Sequence, residues 1–149
     1  MPESRYTRDD HEAYFKMLAV VGTRWEEAIG RADYRNPTGW NLLTRLWREG
    51  RVKMSGAYEF IRDVKSPTTR RIWIQKAIAD GIVDCSDAVL TRALRSGKKP
   101  ALPRGQASPD IWLSAKIAAK IDVFMDDVLD ELLRTADDVK ARAARAASR

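Results

Sequence analysis

The stretch SPTTRRIWIQKAIADGIV, residues 66–83, decides how the rest of the chain is read. Ser66 can accept a backbone N–H as an N-cap, Pro67 suits the first helical position because its missing donor would be unpaired there, and Gly81 suits the C-terminal cap. The pattern predicts a helix over 67–80, about four turns long. At about 100° per residue, Trp73, Ile74, Ala77 and Ile78 gather on one side. Thr68, Thr69, Ile72 and Lys76 lie broadly opposite, with Arg71 near the divide. Arg70 falls on the apolar side, but its stem is long enough to carry the charge past the helix end into water. The helix therefore has a narrow side to bury and a second surface of hydroxyls, one aliphatic group and cations around its opening turns.

The charge balance bears on what that surface meets. Residues 1–40 hold six Lys/Arg against seven Asp/Glu, and residues 108–149 hold seven against eight. Residues 41–107 hold fourteen against six, so the whole excess behind the net charge of +6 lies in the middle of the chain. Such a segment is either a solvated basic surface or a polyanion-binding centre between nearly neutral flanks.

At 149 residues and 44% apolar, the chain is expected to form a single domain, 1–149, with a core of its own. No apolar run approaches the roughly 18 residues that span a bilayer, and the opening MPESRYTRDDHEAY lacks the basic-then-apolar order of a signal peptide. The expectation is a cytoplasmic protein without membrane contact. One cysteine, Cys85, and one histidine, His11, build neither a zinc site nor an intrachain disulfide. No cofactor or metal is expected. A Gly-rich phosphate loop, a nucleophile elbow and a second histidine are all absent, so the chain reads as a non-enzyme. The acid pairs Asp126-Asp127 and Asp137-Asp138 read as solvated charge, and Cys85 as an inert thiol rather than an oxidant sensor.

Outward from the central helix, Thr7 with Asp10 resembles a helix start, and Tyr14, Leu18, Val21, Trp25 and Ile29 follow at spacings of three and four. This predicts a helix from about 8 to 29, closed by Gly30. RADYRNPTG reads as a loop, and Trp40, Leu43, Leu46 and Trp47 mark a second helix ending at Gly50. MSGAYEFIRDV predicts a third, over 55–63, with Ala57, Phe60 and Ile61 inward. Ile82-Val83 and Ile111-Trp112-Leu113 read as short strands. Between them AVLTRAL fits a strand or a helical turn, and residues 96–110 fit a loop or hairpin tip. Ser114 then caps a long helix with Ile117, Ile121, Phe124, Val128 and Leu132 on one stripe and Met125, Leu129 and Leu133 beside it.

Two such stripes need partners. Homodimerisation through helices 8–30 and 114–135 supplies them, with Leu18, Val21, Trp25, Ile117, Ile121, Phe124, Val128 and Leu132 at the interface. The alternative is that both helices merely cover the central core. The Ala/Arg-rich residues 136–149 read as a flexible basic tail.

The expected fold class is mainly α with a small β-hairpin. Three short helices, a strand, a basic tip and a strand over 38–113 are the element order of a winged helix-turn-helix, in which 55–63 and 67–80 form the helix-turn-helix pair. In residues, GWNLLTRLWREGRVKMSGAYEFIRDVKSPTTRRIWIQKAIADGIVD resembles the DNA-binding core of bacterial MarR-like winged-helix transcriptional regulators. There, a helix beginning Ser/Thr-Thr runs through an apolar-basic stretch into Gly-Ile-Val. The likeness covers 12–135 in element order and 38–84 in recognisable residues. It implies a homodimer that binds double-stranded DNA as a transcriptional repressor. Thr68, Thr69, Arg71 and Ile72 then face the groove, and the tip with Lys98, Lys99 and Arg104 takes the place of the wing. The family's Asp-x-Arg after the first wing strand is missing, since DCSDAVLTRAL offers Asp84 and Asp87 with only the more distant Arg92 and Arg95.

Each candidate has a chemistry. Arg71 can form two parallel bonds to a guanine edge or lie over Trp73, and Ile72 can meet a thymine methyl. Thr68 and Thr69 suit phosphate or base contacts, or simply cap the helix. Lys65, Arg70 and Lys76 suit phosphates, which the free N–H groups near Ser66 also favour. Arg104 beside proline and glycine suits a narrow minor groove. Tyr14, Trp25, Trp40 and Trp47 serve either as core or as the lining of a small-molecule effector pocket. Two other functions remain open: a winged-helix module docking an acidic protein, and a non-specific architectural or phage DNA-binding protein.

Overall fold

The computed structural model describes residues 4–97 and 108–149. In chain order the elements are α1 (Arg8–Ile29), a 3-10 turn (Ala32–Tyr34), α2 (Pro37–Glu49), β1 (Val52–Lys53), α3 (Met54–Ala57), a second 3-10 turn (Tyr58–Ile61), α4 (Pro67–Ala79), β2 (Val83–Cys85), α5 (Ala88–Arg95), β3 (Asp110–Leu113) and α6 (Ala115–Ala147). The architecture is mainly helical with one antiparallel sheet in the order β1-β3-β2. The chain divides into two compact units, one holding the residues up to Arg31 and from Lys120, the other Ala32–Ala119.

In the first unit α1 starts where its cap dictates: Thr7 Oγ1 accepts the Asp10 N–H at 3.2 Å, and the Asp10 carboxylate accepts the Thr7 N–H at 2.9 Å. α1 and α6 run antiparallel, as their cross-links require. Arg142 Nε donates to Asp10 at 2.7 Å, Arg24 Nη1 to Asp127 at 3.3 Å, and the Trp25 and Phe124 rings meet edge to face at 5.1 Å. Arg142 lies in the stretch read from sequence as a flexible tail. That expectation is corrected: the helix continues to Ala147. Alanine and arginine are strong helix formers, and the long-range bond to Asp10 fastens the last turns.

In the second unit, Asn36 caps α2 by accepting the Gly39 N–H at 2.8 Å, four residues before the first apolar residue that the periodicity marks. Leu42, Leu43 and Leu46 are buried beneath it, with Ile61, Ile74, Ile78, Val83 and Ile111 in the same core. β3 is the central strand, pairing Val52 with Ile111 on one edge and Val83 with Leu113 on the other. Its Ile111 and Leu113 face inward, as a period of two demands.

Two further expectations are corrected here. The sheet has three strands rather than a hairpin's two, because β1 is only two residues long and carries no alternation to read. The single helix expected over 55–63 is instead α3 followed by a 3-10 turn. Its start is set from outside: the Met54 N–H donates to the Pro109 carbonyl at 2.8 Å and the Ser55 N–H to Ser108 Oγ at 2.9 Å. Gly56 weakens the helix just after. The segment 88–94, open in sequence, is helical, with Asp87 capping α5 through the Leu90 N–H at 2.9 Å.

Candidate nucleic-acid interface

α4 is built as its sequence dictates at both ends. Ser66 Oγ accepts the Thr69 N–H at 3.3 Å with Pro67 in the first turn. At the other end Gly81, at φ +75°, donates to the Ile78 carbonyl, and Ile82 donates to the Ala77 carbonyl, both at 3.1 Å. These paired bonds close the helix in a Schellman motif, which needs the left-handed residue that glycine supplies. Ile74, Ala77 and Ile78 are buried and Trp73 half-buried, so the second half of the helix is anchored. The first half stands clear: Lys65, Ser66, Thr68, Thr69, Arg71 and Ile72 are all exposed, Ile72 at 57%. Among the described residues neither Lys65 nor Arg71 forms an ion pair. Two exposed cations, the three hydroxyls of Ser66, Thr68 and Thr69 and a methyl-bearing side chain therefore surround a helix N-terminus, whose dipole adds positive potential.

Arg70 and Lys76 are placed differently from the other cations. Arg70 turns back to donate its Nε to the Val64 carbonyl, steadying the turn that enters α4. Lys76 Nζ donates to Asp33 at 2.6 Å and to Asp80 at 2.7 Å, lies 4.6 Å from the Tyr34 ring centre, and shares Asp80 with the Tyr34 hydroxyl, which donates at 2.8 Å. Desolvation, the largest single influence on this ammonium, acts to lower its pKa. The hydrogen bonds and charges of Asp33 and Asp80 outweigh it, and the net shift is upward. Lys76 is thus a fully engaged cation joining the first 3-10 turn to the end of α4. The Lys76–Asp80 spacing of four was legible in sequence, but the partnership with Asp33, 43 residues away, was not. Lys98, Lys99 and Arg104 lie outside the described residues.

Beside the sheet, Arg95 Nη2 at the end of α5 donates to Asp84 at 3.0 Å. Across the sheet Asp110 accepts from Arg51 at 3.0 Å and from Lys53 at 3.3 Å, and the Arg51 guanidinium lies 4.3 Å from the Trp112 ring centre. Arg51 first, then Lys53, hold the Asp110 carboxyl below its ordinary pKa. Cys85 is half-buried, and desolvation raises its thiol pKa, so thiolate is scarce at neutral pH. No group of acidic, histidine and cysteine side chains among the described residues could hold a metal ion. None of the described helices is long and apolar enough to cross a membrane.

The expected dimer residues separate into two sets. Trp25, Ile117, Ile121 and Phe124 are buried within one chain, which removes them from any contact surface. They face inward because the apolar stripe of each helix is first used to close its own fold. Val21 and Val128 are half-buried, and Leu18 and Leu132 remain exposed, the latter at 46%. Beside these two the sequence reading missed Phe15, although Tyr14 was placed on the α1 stripe and Leu129 and Leu133 were seen next to that of α6. Phe15 is 67% exposed. At 100° per residue Leu129, Leu132 and Leu133 fall on one flank of the α6 stripe and Phe15 on a flank of the α1 stripe, while Tyr14 and Leu18 lie on the same face of α1 as Trp25 and remain exposed. An apolar cavity of about 450 Å³ is walled by Tyr6, Tyr14, Phe15 and Val139, while a second cavity is walled by Asp9, Glu12, Arg134 and Asp138.

The chain gives no significant match to any family model, curated protein or solved structure.

Proposed function

We propose that this protein is a homodimeric, winged helix-turn-helix, MarR-like regulator that binds double-stranded DNA in a sequence-specific way and represses transcription. The observation that carries the reading is the half-anchored α4. Its C-terminal half is seated in the core while its opening turns project Thr68, Thr69, Arg71 and Ile72, beside the exposed Lys65. That division suits a helix whose N-terminal residues enter a major groove. The order α2, β1, α3, α4, β2, α5, β3 supports the winged-helix assignment except for the inserted α5, with the sheet order β1-β3-β2 placing the two later strands side by side.

In this reading Arg71 contacts a guanine edge, Ile72 a thymine methyl, and Lys65 with the Ser66 end of the helix a phosphate. Arg70 and Lys76 position the helix instead. The second copy covers the exposed Tyr14, Phe15, Leu18, Leu129, Leu132 and Leu133, because six large apolar side chains on the same two helices exceed the scattered exposure of a monomer surface. Two-fold symmetry then asks for half-sites about 10 bp apart or a multiple of that. The chain has no catalytic role in this scheme.

Fluorescence anisotropy on the intergenic DNA upstream of the gene and on scrambled DNA, at several salt concentrations, tests it. A preference of about 10³ or more with a clear salt slope is the expected result. Equal salt-dependent affinity for both would make the protein an architectural DNA binder. No binding to either would leave the basic face to an acidic protein partner.

A further inference from the structure

α5 sits where a winged helix would pass directly from one wing strand to the loop, and it packs on both α4 and β2. Its buried Leu90 holds it there. From its last turn Arg95 makes two bonds in different directions: Nε donates to the Ile78 carbonyl at 3.2 Å and Nη2 to the Asp84 carboxylate at 3.0 Å. Ile78 belongs to the last turn of α4, and Asp84 to β2. One planar cation therefore ties the negative end of the α4 dipole to the sheet, and its charge suits that end of the helix. The opposing tie is the Lys76 cluster, which joins the same end of α4 to Asp33 and Tyr34.

These ties matter because only the far half of α4 is deeply seated. Its entry is steadied by the Arg70–Val64 bond, but its fully buried side chains begin at Ile74, so the tilt of the exposed turns depends also on what grips the far end. Seven residues separate Ile78 from Arg71, about 10 Å of helix. A tilt of about 10° at the anchor would displace Arg71 by about 2 Å, several times the roughly 0.5 Å tolerance of a precise contact.

We propose that Arg95 on α5 is a positioning residue for the DNA-reading turns of α4, fixing their tilt through Ile78 and Asp84 without touching DNA. The inference rests on the DNA-binding reading above, and its test keeps the two apart. Arg95→Met removes both bonds and keeps the stem, Arg95→Lys restores the charge at the helix end, and Asp84→Asn weakens the tie to the sheet alone. The first readout, hydrogen exchange of the α4 amides in the full chain, needs no DNA. Arg95→Met should speed exchange around Ile78 by about tenfold, with partial recovery in Arg95→Lys. The second readout is anisotropy with upstream and scrambled DNA. Arg95→Met should cut the ratio of the two affinities by about three- to tenfold, leaving scrambled-DNA affinity and the salt slope unchanged.

Unchanged exchange overturns the tie. Faster exchange with an unchanged affinity ratio overturns the positioning role. An equal fall on both DNAs with a shallower salt slope also overturns it, by making Arg95 a phosphate contact. If the wild-type protein shows no preference for upstream DNA, the DNA-reading proposal fails, and the exchange result alone upholds or overturns the tie.

Discussion

Gly39→Ala should destabilise the protein, against the ordinary rule that alanine improves a helix. Gly39 lies in the first turn of α2, and a Cβ built on it would stand 2.4 Å from the Tyr34 carbonyl oxygen and 2.9 Å from Tyr34 C and Cα. All three atoms are backbone, so no side-chain rotation relieves the clash. An ordinary C···O contact of about 3.3 Å requires the 3-10 turn to retreat by about 1 Å. That turn carries Asp33 and Tyr34. The bonds from Lys76 to Asp33, 2.6 Å, and from Tyr34 to Asp80, 2.8 Å, would then lengthen past hydrogen-bonding range. Overpacking costs about 1–3 kcal/mol. The loss of hydrogen bonds to charged groups adds about 1.5–3 kcal/mol, and the helix gains back about 1 kcal/mol from alanine. The net expectation is about 1.5–5 kcal/mol lost. At roughly 2–4 °C per kcal/mol, Tm should fall by about 3–20 °C. Urea and thermal unfolding followed by far-UV circular dichroism measure both. Gly56→Ala is the control, since nothing lies within 4 Å of its Cβ, and it should be neutral or stabilising by up to about 1 kcal/mol. A Gly39→Ala protein as stable as wild type would refute the close approach of Tyr34 and the stress it passes to α4.

The remaining expectations concern recognition, assembly and pH. Arg71→Ala should cost about 1–3 kcal/mol on the preferred DNA and relax one position per half-site. Lys65→Ala should weaken all DNA alike and reduce the salt slope by about one. Equal losses for Arg71→Ala on preferred and scrambled DNA would reassign that arginine to a phosphate. Leu132→Glu should convert a dimer to a folded monomer in sedimentation equilibrium. A wild-type chain that is already monomeric at micromolar concentration would sink the dimer. For pH, the Asp10 carboxyl is held below its ordinary value, chiefly by the hydrogen bond from Arg142 and then by the Thr7 N–H. A depressed carboxyl contributes stability that is full above its unfolded pKa of 3.8 and lost as pH falls through the lower folded value. Asp10→Asn should therefore be less stable than wild type at neutral pH, and the gap should close in acid. A pH-independent gap in urea titrations would show that the ionised pair contributes nothing.

Several elements were determined by the sequence itself, because their signals are local. Thr7 and Asp10 three residues apart specify the start of α1, Ser66-Pro67 and Gly81 specify both ends of α4, and the period of Ile74, Ala77 and Ile78 specifies its buried face. The opposite face followed from the same period, and the structure leaves Thr68, Thr69 and Ile72 exposed there, with Arg71 exposed near the divide. Tertiary structure alone decided the rest. β1 exists because β3 offers its edge, and α3 begins at Met54 because Pro109 accepts its N–H. The helix to Ala147 holds at Arg142 through Asp10, 132 positions earlier in the chain. Lys76 and Arg71 look alike in a one-dimensional pattern, two cations on a helix rim. What separates them is Asp33, which reaches Lys76, while Arg71 forms no ion pair among the described residues; a contact between residues 43 positions apart has no local periodicity from which to be read. The same reason governs the terminal helices. The apolar spacing shows that each has a stripe to cover. Which half of it is spent on Trp25 and Phe124 inside the chain, and which half at Phe15 and Leu132 stays exposed, depends on how two helices far apart in sequence face each other.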